Sequence, residues 1–154
     1  MDIVENSLGV DIESFLKRPL FCFLGTVDGG DPRVTPLWFL WEDGAAWIIA
    51  NDEKTYPTRI RNHPAATMAV VDFDRASGRV QHVGMRGTAE VRPHDPERAI
   101  RLLEPYLGPD PEAWDEERFG DPFAWGEEMV FLRFDPETVV ARDQSYAPSP
   151  AVRE

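Results

Sequence analysis

Cysteine, histidine and basic residues are all scarce in this chain. Cys22 is the single cysteine, so no intramolecular disulfide can form. Its place in the apolar run Leu20–Leu24 suits a reducing, cytoplasmic compartment. His63, His82 and His94 are scattered, and with one thiol they supply no metal-ligand spacing. A structural zinc is excluded, and no metal site is expected. No apolar run approaches the roughly 18 residues that span a bilayer. Met1-Asp2-Ile3-Val4-Glu5 carries acids where a secretory signal would carry bases. Lys and Arg total 16 against 28 Asp and Glu, a net charge of −12. A field of that sign repels polyanions, so neither nucleic acid nor an anionic membrane is an expected partner.

What remains is ordinary globular arithmetic: 154 residues, 42% hydrophobic and 29% charged. A chain of this length buries roughly 68–70% of its unfolded surface, enough for one core without a staple. Residues 1–143 read as a single domain and 144–154 as a loose tail, since Tyr146 opens the run Ala-Pro-Ser-Pro-Ala.

Residues 11–18 read as a short helix with Ile12, Phe15 and Leu16 on one face, stopped by Pro19. Leu20–Val27, Arg33–Trp41 and Ala45–Ala50 read as strands joined by the turns Asp28–Pro32 and Glu42-Asp43-Gly44, an antiparallel meander. A short helix over 57–63 opens at Pro57 and ends before Pro64. Ala66–Phe73 and Arg79–Val91 follow as strands around the tip Ala76-Ser77-Gly78. Ala99, Leu102, Leu103, Tyr106 and Leu107 keep helical spacing. The spacing predicts a helix over 96–107, capped by Asp95 and stopped at Gly108. Asp110-Pro111 and Asp121-Pro122 mark two short helical pieces, and Met129–Phe134 is a strand that resumes over Thr138–Arg142 after a turn at Asp135-Pro136. Six strands in hairpin order with few helices predict a mainly β chain forming a small closed or partly closed barrel. The strands near 20–27 and 45–50 are apolar on both faces. A helix or a second subunit must cover them, and with only one long helix available a homodimer is expected.

Lys54, Arg59 and Arg61 form a positive island with no acid between them, placed at a predicted helix start. Such a place suits a phosphate through free amides and the macrodipole; the plain alternative is a solvated face pairing with surplus acids. Pro36 lies inside its strand and cannot donate to a ladder. That strand is therefore an edge, or opens there toward a ligand. Five tryptophans and nine phenylalanines belong mainly to core and interface, with one or two free to flank a flat ring. His82 reads as a hydrogen-bonded strand residue rather than a base, and Asp72 and Asp74 as a solvated strand end. No nucleophile–base arrangement is spaced for catalysis.

Leu24-Gly25-Thr26-Val27-Asp28-Gly29 and Pro32-Arg33-Val34-Thr35-Pro36-Leu37-Trp38-Phe39 resemble the pyridoxamine 5′-phosphate oxidase-like split-barrel flavoproteins. Arg59-Ile60-Arg61-Asn62-His63-Pro64, the strand Val83–Val91 and Phe131–Glu137 continue the resemblance in order, over residues 12–143. It implies a six-stranded antiparallel split β-barrel with short flanking helices, homodimeric, with a flavin at each subunit interface. By position, Arg33, Val34, Thr35, Pro36, Leu37 and Trp38 would line the flavin ring and reach toward its phosphate. Ala50 and Asn51 match a further contacting pair, while Lys54, Thr55, Tyr56 and Arg59 fall at the phosphate, and His82 near a ring contact. Trp38 stands where the oxidases carry a lysine, and nothing after Arg133 matches their substrate-binding segment. Pyridoxamine phosphate is therefore not the expected substrate. The resemblance implies an FMN-binding oxidoreductase acting on another small molecule. The alternatives within the same fold are a deazaflavin-dependent reductase and a non-catalytic flavin or tetrapyrrole binder.

Overall fold

A computed structural model describes residues 1–153. The chain runs β1 (Asp2–Asn6), α1 (Ile12–Leu16), β2 (Phe21–Asp28), β3 (Asp31–Trp38), β4 (Leu40–Glu42), β5 (Ala45–Asn51) and α2 (Thr55–Asn62). It continues through β6 (Ala65–Asp74), β7 (Arg79–Pro93), α3 (Pro96–Leu107) and β8 (Met129–Asp143). All eight strands form one sheet in the order β3-β2-β6-β7-β8-β5-β4, with β1 added parallel to β8. The other neighbours are antiparallel.

The two edge strands of that order, β3 and β4, are consecutive in the chain and separated only by Phe39. The sheet therefore rolls up and is joined covalently at Phe39, while no ladder connects β3 to β5 among the described residues. That gap is the split in the barrel. Its edge position explains how Pro36 fits inside β3, opposite Phe23 of β2. Two tight turns set the meander. Gly29 and Gly30 have φ of 57° and 94°, and Asp43 and Gly44 of 57° and 69°, the paired positive φ of two-residue hairpins.

Alternation along the strands fills the barrel with Cys22, Leu24, Ile48, Met68, Val70, Val83, Leu132 and Phe134, joined by Ile12, Phe15 and Leu16 of α1 and Ile60 of α2. A second cluster lies on the other face of β5 and β8, where Trp47 and Phe131 pack under Ala99, Leu102 and Leu103 of α3 and under Trp114. The outer side of residues 45–50 is thus covered by α3 rather than by a second subunit. Leu102 and Leu103, one helical turn past Ala99, supply the apolar stripe that does it.

Several boundaries differ from the sequence reading. There are eight strands, not six. The five residues of β1 are exposed throughout, so no burial period marks them, and main-chain pairing with residues 138–141 holds them. The second strand breaks at Phe39. Residues 129–143 form one strand with no turn at Asp135-Pro136. A bulge between Arg86 and Gly87 absorbs the irregularity, and a Cβ on Gly87 would lie 2.0 Å from the Asp135 carbonyl oxygen. The helix expected over 57–63 starts at Thr55 with Lys54 as N-cap. Pro57 is tolerated in the first turn because no intrahelical bond needs its missing N–H there. Asp72 is not a solvated strand end but buried, at 7% exposure, with Arg18 and Arg79 each donating to Oδ2 at 2.8 Å. The tail, expected loose, is tied where it leaves β8: Gln144 N–H donates to Val80 O and Tyr146 N–H to Gly78 O. The helix over 96–107 and the Asp-capped pieces at Pro111–Ala113 and Pro122–Ala124 match their sequence signals.

Candidate functional site

The split opens into a groove of about 660 Å³. Pro36, Leu37 and Trp38 of β3 and Ile49 and Asn51 of β5 face each other across it, where the missing ladder leaves room. Phe21, Leu102, Leu103 and Met129 complete its apolar walls. Lys54 enters from the start of α2, and Arg118, Phe119 and Trp125 come from the segment between α3 and β8. Two cations and no carboxylate line the groove among the described residues.

Trp38 anchors the aromatic wall. Its ring lies 4.5 Å from that of Tyr106 at 8° and 6.1 Å from Phe119 at 14°, with Phe21 edge-on at 6.5 Å. The Tyr106 hydroxyl donates to Leu20 O at 2.7 Å and accepts from Phe39 N–H at 3.3 Å. It fastens α3 to the one residue that joins the two sheet edges. Burial pushes the Tyr106 phenol up to about 12, so it stays a neutral donor. The Trp125 indole N–H donates to Phe119 O at 2.7 Å, and Phe119 N–H to Asp115 O at 2.9 Å, bracing that wall.

The positive island divides by partner. Arg61 is bidentate to Asp52 at 2.6 and 3.0 Å, and its hydrogen bonds hold the Asp52 carboxyl below its ordinary range. Arg59 Nε donates to the buried Thr26 hydroxyl at 3.0 Å and its NH1 to Thr55 Oγ1 at 3.0 Å, tying the start of α2 to β2. Because the helix starts earlier than its sequence suggests, Arg59 and Arg61 sit in its last turn, where the macrodipole favours cations rather than a bound anion. Lys54, the N-cap, has no ion-pair partner among the described residues and lines the groove.

The other expected site residues scatter. Arg33 and Val34 border a second hollow of about 780 Å³ on the outer faces of β2, β3, β6, β7 and β8, together with Phe23, Arg86, His82 and Arg142. His82 Nε2 meets Gln144 Oε1 there at 3.2 Å. Thr35 lies between the two cavities and lines neither. Ala50 is buried inside the barrel, Tyr56 packs against the barrel core, and the Thr55 hydroxyl is held by Arg59. Pro36, Leu37, Trp38, Asn51 and Lys54 are the expected residues that converge on one cavity. Sequence reasoning missed Arg118, Phe119 and Trp125; aromatic density over 114–125 was the available signal, but nothing in it tells that the segment folds back on β3. Among the described residues, no group of His, Cys, Asp or Glu gathers as for a metal, and no helix is long and apolar enough to cross a membrane.

A sequence profile of the family described as pyridoxamine 5′-phosphate oxidase matches residues 10–140. Among solved structures the chain is similar to an F420 reductase at 25% identity and TM-score 0.64, covering 82% of this chain and 94% of that one. It shares its fold with a FAD-binding protein from Mesorhizobium loti at 17% identity and TM-score 0.62, covering 86% and 91% of the two chains. It also shares it with the haem storage protein HutZ from Vibrio cholerae at 17% identity and TM-score 0.62, covering 87% and 94%. A comparison with curated proteins gives no match.

Proposed function

Because the chain belongs to the pyridoxamine 5′-phosphate oxidase family, we propose that it is an FMN-dependent oxidoreductase whose flavin and small-molecule substrate meet in the groove at the split. The observation that carries this reading is the convergence of Pro36, Leu37, Trp38, Asn51 and Lys54 on a cavity of about 660 Å³. That volume lies within the range of ordinary cofactor and ligand sites. Its chemistry fits the group: flat aromatic and aliphatic walls for a ring, and a cation without a carboxylate partner for a phosphate. When bound, the flavin supplies the hydride chemistry. The chain supplies the rest. Lys54 holds the phosphate, Arg59 positions it by fixing the start of α2, and Trp38, Leu102 and Leu103 keep water from the ring.

The outer face of β2, β3 and β6 favours a homodimer. Phe23, Val34 and Phe73 stand 41%, 68% and 57% exposed there, and the hollow that Phe23 and Val34 border adjoins the groove along β2, with Phe21 in one and Phe23 in the other. A second reading, a deazaflavin-dependent reductase, is favoured by the 25% identity to an F420 reductase. The absorbance spectrum of the freshly purified protein separates the two. For the FMN reading, Lys54→Ala should weaken FMN about tenfold or more, since a charge-assisted bond is worth about 1.5–3 kcal/mol. Riboflavin, which lacks the phosphate, should bind both forms alike, and Arg59→Ala should weaken FMN less. Unchanged FMN affinity in the Lys54 variant removes the phosphate assignment.

A further inference from the structure

Arg118 is placed as no other arginine of the chain is. It lines the groove, and it has no ion-pair partner among the described residues although Asp115, Glu116 and Glu117 directly precede it. Asp115 Oδ1 accepts from the Arg118 backbone N–H at 3.3 Å, not from its guanidinium. Arg61, Arg101 and Arg92 find acids in Asp52, Glu42 and Glu90; Arg59, Arg75 and Arg86 have no ion pair among the described residues either, but none of them lines this groove. The turn that carries Arg118 is braced rather than free. Phe119 N–H donates to Asp115 O and Gly120 N–H to Glu116 O, each at 2.9 Å. The guanidinium sits 5.7 Å from the centre of the Phe119 ring, beside a wall that also includes Trp125. An exposed guanidinium without a side-chain partner among the described residues, carried on a turn with a braced main chain beside an aromatic ring, in a groove that no carboxylate lines, matches a flat ligand ending in a carboxylate or similar anion.

We propose that the groove selects aromatic small molecules bearing an anionic group as its second ligand, and that Arg118 is the residue that reads the charge. The word "second" rests on the reading above, in which Lys54 is taken by the cofactor phosphate. The class of ligand does not, because it follows from Arg118 and its wall.

The test uses naphthoate and its neutral counterpart naphthamide, titrated into the full chain as purified and followed by quenching of tryptophan fluorescence, to which Trp38 and Trp125 contribute from the groove walls. Naphthoate should bind about tenfold tighter than naphthamide, the scale of one charge-assisted pair. Arg118→Gln should abolish that preference while leaving naphthamide unchanged, and Arg118→Lys should keep part of it. Lys54→Ala should keep the preference. Equal binding of the two probes by the unmodified protein overturns the inference, as does a preference that survives Arg118→Gln. A protein that binds no flavin yet shows an Arg118-dependent preference for naphthoate supports the ligand class and refutes the cofactor reading, so the two failures are distinct.

Discussion

Tyr106 joins two functions in one side chain: its ring supports Trp38, and its hydroxyl bonds the main chain at Leu20 and Phe39. Tyr106→Phe keeps the stack and removes the clamp. It should cost about 1–2 kcal/mol, a little more than an average hydrogen bond because Phe39 N–H loses its acceptor. Urea unfolding would read this as a lower midpoint at unchanged slope, and an unchanged midpoint would mean that water replaces the hydroxyl. The ring contact was half legible in the sequence. The Pro36 break pointed to Trp38 as a pocket residue, whereas Tyr106 read only as one more apolar position on its helix, because periodicity reports the face of a helix and not what its hydroxyls reach. The burial of Cys22 was legible from its apolar run. The residue is buried, and its thiol is pushed up to about 12, which leaves almost no thiolate at neutral pH.

Between elements, the Arg18–Asp72–Arg79 group joins the chain just after α1 to β6 and to the start of β7. Burial alone would raise the Asp72 carboxyl, but hydrogen bonds and charge from Arg79 and Arg18 outweigh it and hold the group below its ordinary value. A carboxyl depressed in the folded state contributes stability that is fully present above its unfolded value, about 4. That contribution is lost as pH falls through the folded value. Asp72→Asn should therefore destabilise the protein at pH 7 and flatten the acid limb of its stability profile below about pH 5. Thermal midpoints across pH 3–7 check this; parallel curves for the two proteins would show that the group contributes nothing. The sequence concealed this group, since Arg18 and Asp72 are distant in the chain and meet only after β2 and β6 pair. Strong local punctuation was legible throughout: Asp95, Pro96 and Gly108 bound α3 as read. Where punctuation was ambiguous the boundary moved, as at Pro57, which sits inside a first turn, and at Pro136, which sits beside a bulge.

At the scale of the molecule, the barrel buries one side of residues 45–50 and α3 the other, while the outer side of residues 21–28 stays open. In the homodimer proposed above, a charge set into that open face breaks association. Phe23→Glu should convert a dimer into a monomer by light scattering while circular dichroism stays native, because Phe23 points away from the barrel core; a monomer before substitution ends the dimer reading. The covalent join at Phe39 has a consequence in time as well as in space. The hairpins β2–β3 and β6–β7 pair close neighbours in the chain, but Ala46 must find Phe134 and Asp2 must find Thr138. Loop entropy is spent before those ladders return anything, so the β5 wall of the groove closes late on the folding route. A ligand seated there meets no formed site in the transition state and holds only the finished barrel. Saturating FMN should therefore lengthen the lifetime of the native state, lowering the unfolding limb of a chevron while the refolding limb keeps its place.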